Sequence, residues 1–402
     1  MDSLTQIILG AAVGEVVLGK KIGNRAMVWG AVGGTIPDLD VLGKFFLSSI
    51  DNLAFHRGIT HSVTFSIVGA ILFGWIVHHI YKSHLHKWIA IFFKVVAAIL
   101  VISAISFVLG RFSVDSYIPI AIISLALGIL IYYRSKKRYF SEWEVPNASL
   151  RDWQWLFFWS LFTHPILDCF TMYGTQFFAP FSDIRIAFGS ISVADPMYTI
   201  PFLICLIVAS MYIRTSNKRR IWNYSGIALS SFYLLFTVIN KQYVNSVFAD
   251  ALEKQDIVAE RFISNPYILS NIVWTCTAET EEYFYQGQYS LFDTGDIAFT
   301  QIDKNHDILI GLESDPTIKT LRWFSDDYFN VMRVDERYQF NDLRFGSFSG
   351  KGEGPNDFIF RFFLTYRGEK GYDMEEAIGG PPEGSQDEIL SKLWDRIRGI
   401  KS

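Results

Sequence analysis

Eight consecutive residues, from Phe55 to Ser62, place two imidazoles, a guanidinium and two hydroxyl groups directly before a long apolar run. The imidazoles belong to His56 and His61, and the guanidinium belongs to Arg57. Ionisable side chains at the edge of a membrane segment are costly, and they are usually paired, metal-bound or functional. This stretch therefore predicts a chemical site at one face of a membrane.

Two further stretches add carboxylates and a third imidazole beside apolar segments. Asp38 and Asp40 stand two positions apart after Pro37, where the chain leaves a helix. His164 and Asp168 are four positions apart, which places them on one helical face with Cβ atoms about 6 Å apart. The three stretches together offer three histidines and three aspartates.

Mixed imidazole and carboxylate ligands are typical of Zn²⁺, Mn²⁺ or Fe²⁺ rather than of Ca²⁺. The set predicts a divalent metal, zinc or manganese. Six ligands exceed the four of a tetrahedral zinc and would fit a pair of ions about 3.5–4 Å apart, which activates a water. The predicted ligands are Asp38, Asp40, His56, His61, His164 and Asp168.

Three residues are candidates for catalytic roles beside the metal. Arg57 could hold a phosphate as a planar fork, or it could pair with a lipid headgroup. A carboxylate outside the metal shell could act as general base, and Asp40 and Glu15 are the candidates. Glu15 lies within the first apolar segment, where an unpaired carboxylate is expensive, so it must reach either a ligand or a polar partner.

Composition separates two regions that must position these groups. Half of the 402 residues are hydrophobic and 19% are charged, against about 25% in a typical water-soluble chain. Residues 1–240 hold 12 acidic and 19 basic residues, whereas residues 241–402 hold 28 acidic and 17 basic. This split predicts a helical membrane domain over residues 1–245 and a water-soluble domain over residues 255–402. The net charge of -4 gives no reason to expect nucleic acid as a partner.

About eight segments are apolar enough to be candidates for crossing a bilayer, which takes about 20 residues as a helix. They are residues 4–18, 24–37, 60–80, 87–109, 116–133, 152–172, 197–213 and 221–240. The first two are rich in glycine and alanine, which predicts that they pack closely as a hairpin.

Basic residues predict the orientation of these segments. If all eight cross, the loops at 20–25, 81–87, 134–152 and 214–220 contain 14 of the 19 Lys and Arg residues before position 241. Basic loops stay cytoplasmic, so all three metal-ligand stretches, both termini and the second domain are expected on the outer side.

The second domain shows alternating stretches typical of strands, with two helical patterns. The expected strands include residues 272–277, 297–302, 337–340 and 358–365, and the expected helices lie near 317–329 and 386–400. The whole chain is therefore expected to be a polytopic α-helical membrane bundle followed by a small α+β domain.

Seven ordered segments resemble the YdjM-like family of bacterial inner-membrane proteins, described as membrane-bound metal-dependent hydrolases. They are residues 2–6 with 10–15, 37–40, 56–62, 163–168, 170–176, 195–199 and 342–346. The resemblance implies a multi-pass, metal-dependent hydrolase of the inner membrane. Shorter members have a histidine in the first helix where this chain has Gln6. The Pro-Asp and Thr-His elements are also similar to the zinc-dependent phospholipase C group, which favours a phosphoester substrate.

The function that we expect is hydrolysis of a phosphoester or lipid-like substrate at the outer face of the membrane, with membrane lipids and a small-molecule or lipid substrate as partners. The alternative is a non-enzymatic transporter or sensor that binds an ion, since transporters also place His and Asp inside bundles. A third reading makes the second domain a binding module that the membrane part anchors.

Overall fold

The structure is a computed structural model that describes residues 1–83, 85–111, 117–136, 146–350, 352, 354–368, 371–376 and 386–400. The chain divides into two compact units, residues 1–69 with 156–402, and residues 70–155. The predicted domain division near residue 250 stays a prediction.

The first 254 residues are helical wherever the structure describes regular structure. The helices are α1 (Ser3–Ile22), α2 (Asn24–Thr35), α3 (Ser49–Phe55), α4 (Val63–Lys82), α5 (Leu85–Arg111), α6 (Tyr117–Ser135), α7 (Leu150–Asp168), α8 (Pro196–Met211) and α9 (Asn217–Lys254). A 3₁₀ helix, Pro37–Phe45, follows α2, and a 3₁₀ turn, Ile59–His61, precedes α4.

Two of these helices, α1 and α4, are long and apolar enough to cross a membrane, as judged from the described residues. The expectation of about eight membrane segments is therefore corrected to two candidate spans. The 12 residues of α2 rise only about 18 Å, and the hydrocarbon core is about 30 Å thick. Helix α7 carries ionisable groups at both ends, including Asp152 and Asp168, and α9 has the polar start Asn217–Arg220.

The expected close packing of α1 and α2 is confirmed. A side chain added at Gly10 would collide with the Cα and N atoms of Gly34. One added at Gly14 would collide with the Cα atom of Gly30. A methyl group at these positions would collide with backbone, so only glycine allows the two helices to approach this closely. This contact fixes the end of α2, and with it the 3₁₀ helix that carries Asp38 and Asp40.

The C-terminal region contains two four-stranded antiparallel sheets rather than the expected mixed α+β core. Each sheet is a meander, with strand order β1-β2-β3-β4 in the first and β5-β6-β7-β8 in the second. The strands are β1 (Arg261–Pro266), β2 (Val273–Glu279), β3 (Tyr283–Ser290), β4 (Phe299–Asp303), β5 (Phe329–Val334), β6 (Arg337–Asp342), β7 (Arg361–Tyr366) and β8 (Tyr372–Glu376). Both expected helices are present, as α10 (Pro316–Ser325) and α11 (Gln386–Ile397).

Apolar side chains join the sheets to the helical region at two places. The end of α9 buries Val244 and Phe248 against Trp274 of β2. Leu53 of α3 belongs to the same buried cluster as Leu321 and Phe324 of α10. Because α3 immediately precedes His56, the second contact holds the C-terminal region beside the predicted site.

Candidate metal centre

Four of the six predicted ligands lie together. Asp38 comes from the 3₁₀ helix after α2, His61 from the turn before α4, and His164 and Asp168 from the last turn of α7. One ligand atom from each residue lies within 4.8 Å of the others. His61, His164 and Asp168 are completely buried, and the side chain of Asp38 is 19% exposed.

The distances within this cluster match the edges of one small coordination polyhedron. The Nε2 atoms of His61 and His164 are 3.0 Å apart. Asp38 Oδ1 lies 3.5 and 3.4 Å from these two nitrogens, and Asp168 Oδ2 lies 3.4 and 3.3 Å from them. Ligand atoms about 2.0–2.2 Å from a tetrahedral zinc stand about 3.3–3.6 Å apart, so the cluster has the size of a single-ion site.

Hydrogen bonds define which ring nitrogen of each histidine faces the cluster as an acceptor. His164 Nδ1 is 2.6 Å from the carbonyl oxygen of Gly34, which can only accept, so Nδ1 carries the proton. His61 Nδ1 is 3.1 Å from Thr60 Oγ1 and 3.4 Å from Asp40 Oδ2. Because the Thr60 hydroxyl donates to Asp40 Oδ2, its oxygen accepts from His61. Both Nε2 atoms then present lone pairs to the cluster.

The cluster consequently holds acceptors that face one another. Two imidazole lone pairs and two carboxylates meet in a buried space, and neither Asp38 Oδ2 nor Asp168 Oδ2 has a hydrogen-bond partner among the described residues. Buried polar atoms without partners are costly. Only a cation, or an added proton, removes the repulsion, so the donor set fits a divalent metal.

Asp40 and His56 form a pair beside this cluster. His56 Nδ1 is 2.9 Å from Asp40 Oδ1, and Asp40 Oδ2 accepts the backbone N–H of Arg57 at 2.9 Å. With Thr60 and His61 also directed at Asp40 Oδ2, this carboxylate stands behind His61 and orients its ring, an arrangement common behind metal-bound histidines. The geometry therefore brings together four of the six predicted ligands in a group that could hold one metal ion, and it places Asp40 and His56 beside that group.

Burial alone would raise the pKa of Asp40, but hydrogen bonds reverse the effect. They come from His56 and His61, and they hold the pKa of Asp40 below the ordinary range. The carboxyl of Asp40 is therefore ionised at neutral pH, as a group that accepts from His61 Nδ1 must be.

Arg57 brings a buried guanidinium against the cluster. Its Nη1 donates to Thr171 Oγ1 at 2.8 Å, and its Nη2 lies 3.5 Å from Asp168 Oδ1. Its Nε is buried without a hydrogen-bond partner among the described residues, and its Cζ stands 4.9 Å from the ring centre of Tyr173. The backbone of Arg57 has a φ of 56°, a left-handed conformation that is strained for arginine and typical of functional sites.

Glu15 is placed away from these residues. Its two carboxylate oxygens accept from Arg219 Nε and Nη2 at 2.6 and 2.5 Å. Glu15 is nine positions beyond Gln6 on α1, about 13 Å along the helix axis, and Gln6 is the residue of α1 that reaches the cluster. The structure thus places the candidate base Glu15 in a polar pair within the bundle.

The sequence did not predict several residues that support the site. Gln6 Nε2 donates to Asp168 Oδ1 at 3.1 Å and to the carbonyl of His164 at 3.2 Å, and its Oε1 is buried without a partner among the described residues. The amino group of Met1 also contacts Asp168 Oδ1. The histidine that shorter family members have in place of Gln6 was the sequence signal that could have identified this position. Nothing in the local sequence indicates that the carbonyl of Gly34 orients a histidine.

Helices apolar enough to cross a membrane, together with a buried cluster of two histidines and two aspartates that could hold a metal ion, are features of a membrane protein with a candidate metal site. Comparison with known families agrees with this class. Residues 1–244 match the model of the family described as YdjM inner membrane protein, and the chain belongs to that family. No curated protein and no solved structure is similar enough to match. The matched residues contain every member of the cluster.

Proposed function

We propose that this protein is a multi-pass, metal-dependent hydrolase of the inner membrane that cleaves a phosphoester. The observation that supports the proposal best is the cluster of Asp38, His61, His164 and Asp168, in which acceptor atoms face one another and Asp168 Oδ2 has no hydrogen-bond partner among the described residues. A hydrolytic site of this kind needs a metal ion, which these acceptors could bind, together with a group that holds the anionic substrate. Arg57 lies beside the cluster and could hold that anion.

Each residue near the ion has a defined task in this proposal. The four-residue cluster would hold one divalent ion, zinc or manganese. When bound, such an ion polarises a phosphoryl oxygen and acidifies a water. Asp40 keeps the His61 ring oriented through Nδ1, and the Nε of Arg57 is free among the described residues to donate to a substrate oxygen. A fixed guanidinium of this kind stabilises negative charge that develops during ester cleavage.

The two candidate spans support a site on the extracytoplasmic side. Helix α1 ends with Lys20 and Lys21, and α4 ends with Lys82. Gln6 near the start of α1 and His61 just before α4 lie at the opposite ends of the same helices, at the cluster. Basic ends stay in the cytoplasm, so the cluster is expected outside. Helix α2 packs antiparallel to α1, with Gly34 against Gly10 and Gly30 against Gly14, and so leads the chain back to the cluster side before α4 begins. The C-terminal region, which packs on α3, is expected there as well.

Position along the helices favours hydrolysis over ion transport. Transporter sites lie near the middle of the bilayer, at broken helices that open to alternate sides. Here His61 stands two residues before Val63, the first residue of α4, so the cluster lies at one end of a candidate span.

Elemental analysis of the purified protein tests the metal, and hydrolysis of chromogenic phosphomonoesters and phosphodiesters tests the activity. We expect about one zinc or manganese per chain, and loss of both metal and activity in His61→Ala. His79→Ala is the matched control, because His79 lies exposed on α4 and should leave both unchanged. Unchanged metal content in His61→Ala would reject the site, and full metal with no hydrolysis would reject the activity alone.

A further inference from the structure

Two loop segments next to the cluster expose large apolar side chains. In the first, which ends the 3₁₀ helix after Asp40, Phe45 is 69% exposed and Phe46 is 87% exposed. In the second, between α7 and α8, Phe181 is 86% exposed and Ile184 is 65% exposed. Exposed aromatic side chains grouped in this way mark an interaction surface. We call these four residues, with Phe178 and Phe188, the aromatic rim.

Both loops are fastened to the residues of the site. The first loop is continuous with Asp38 and Asp40. In the second, the backbone N–H of Gln176 donates to the carbonyl of Arg57 at 3.0 Å, and its side-chain amide donates to the carbonyl of Ala54 at 2.9 Å. Both loops are therefore attached to the part of the chain that carries the cluster and Arg57.

The level of the second loop relative to the bilayer follows from one hydrogen bond. The carbonyl of Phe177 accepts the backbone N–H of Val63, the first residue of the candidate span α4, at 3.1 Å. Residues at the end of a span lie at the boundary between headgroups and hydrocarbon, where exposed Phe and other apolar side chains insert. The exposed side chains of Phe178 and Phe181, which follow Phe177 in the chain, are therefore expected at this boundary.

A cation accompanies the apolar residues of the first loop. Lys44 is exposed, and its Nζ lies 5.3 Å from the ring centre of Phe45. A lysine beside interfacial aromatics can place its stem along the rings and its ammonium among phosphate headgroups. This combination fits a lipid surface that carries anionic headgroups.

We propose that the aromatic rim docks into the bilayer interface beside the site, and that the substrate is an anionic amphiphile. Its acyl chains remain in the bilayer beside Phe46 and Phe181, while its phosphate reaches Arg57 and the cluster. The claim about the substrate rests on the proposed function, whereas the claim that the aromatic rim docks into the bilayer does not. If lipid does not cover the aromatic rim, a second copy of this chain or another protein would cover it instead.

Spin labels test the docking. The three cysteines are free and buried, so replacing them allows single labels at Phe46→Cys, Phe181→Cys and, as control, Glu336→Cys at the exposed turn between β5 and β6. In vesicles of phosphatidylcholine with about one-third phosphatidylglycerol, the rim labels should collide with oxygen and resist a water-soluble nickel chelate. The control should behave oppositely. Rim labels as open to nickel as the control, or dipolar broadening between copies, would overturn the proposal.

Binding tests the substrate class without requiring turnover. A dioctanoyl phosphatidylglycerol should bind the metal-loaded protein in detergent at least tenfold more tightly than glycerol phosphate, and Arg57→Gln should weaken both. Exchanging Phe46 and Phe181 together for Ser should abolish the preference for the lipid while metal content stays unchanged. Equal affinities for the two ligands in the unaltered protein would reject the amphiphile, whatever the hydrolysis assays show.

Discussion

The Glu15–Arg219 pair and the four-residue cluster bury ionisable groups in the same helical region in opposite ways. In the pair, every charge meets its complement: Arg219 donates twice to Glu15, and also to Asn24 Oδ1 at 2.6 Å and the carbonyl of Tyr212 at 3.0 Å. In the cluster, acceptors face acceptors at 3.0–3.5 Å. Burial is common to both, so it does not distinguish them. The difference is that the atoms at the centre of the cluster are acceptors facing acceptors, which is the arrangement that a bound cation would stabilise.

The largest effect is expected from Arg219→Met, which disrupts the Glu15–Arg219 pair and leaves the four-residue cluster intact. It leaves the carboxylate of Glu15 buried without a partner, which should lower the free energy of unfolding by about 3–5 kcal/mol. Denaturant titration in detergent measures this loss, and the metal content of the folded fraction should stay constant. The double variant Glu15→Leu with Arg219→Met should recover most of the stability. A double variant as unstable as the single would show that the pair is not the cause.

The second largest effect is expected from Asp38→Asn, which should weaken metal binding without lowering stability. Removing a carboxylate from the cluster should weaken metal binding at least 100-fold, yet it relieves acceptor repulsion. In the presence of a chelator we therefore expect unchanged stability or a gain of about 1 kcal/mol. Metal titration and thermal unfolding measure the two quantities, with the exposed Asp183→Asn as control. A loss of stability comparable to that of Arg219→Met would make Asp38 a structural residue and end the contrast.

A smaller effect on the metal is expected from Asp40→Asn. The amide keeps the shape of the side chain but weakens the acceptor for His61 Nδ1, and losses of about 10–100-fold in affinity are typical for such orienting carboxylates. Competition with a metal-binding dye measures the affinity. An effect larger than that of Asp38→Asn would instead place Asp40 among the ligands.

The smallest effect is expected from Gln6→Leu. Two hydrogen bonds to the end of α7 are lost, which should reduce stability by about 1 kcal/mol. Metal content should remain at the level of the unaltered protein, because the Nε2 of Gln6 donates to Asp168 and does not face an ion. Loss of metal in this variant would show that the amide oxygen is a fifth ligand.

The sequence predicted much of the site because its chemistry is concentrated in short motifs. Residue types and the four-position spacing of His164 and Asp168 indicated a shared ion, and the glycines of α1 and α2 indicated their close packing. The sequence could not show that Asp40 points at His61 and Arg57 rather than at the ion. That choice depends on where the 3₁₀ helix begins relative to the turn before α4.

The fold was predicted less completely than the site. The four expected strands and both expected C-terminal helices are present at or near their positions, but β1, β3, β5 and β8 were not recognised. Strands such as β3, with Gln286, Gly287 and Gln288 at its centre, lack the apolar alternation that marks a half-buried strand. Their place is determined by pairing with neighbours that are distant in sequence.

The residues themselves predicted ligands for an ion here, since imidazole and carboxylate side chains at the ends of apolar segments are usually paired or bound to a metal. The tertiary structure alone decided which four of the six converge. A ligand set is a matter of distances of about 3 Å between atoms 130 positions apart in the chain, and only the packing of α1, α2, α4 and α7 sets those distances. The same packing gave Glu15 two donors from Arg219, whereas the Nε2 atoms and carboxylate oxygens at the centre of the cluster face one another.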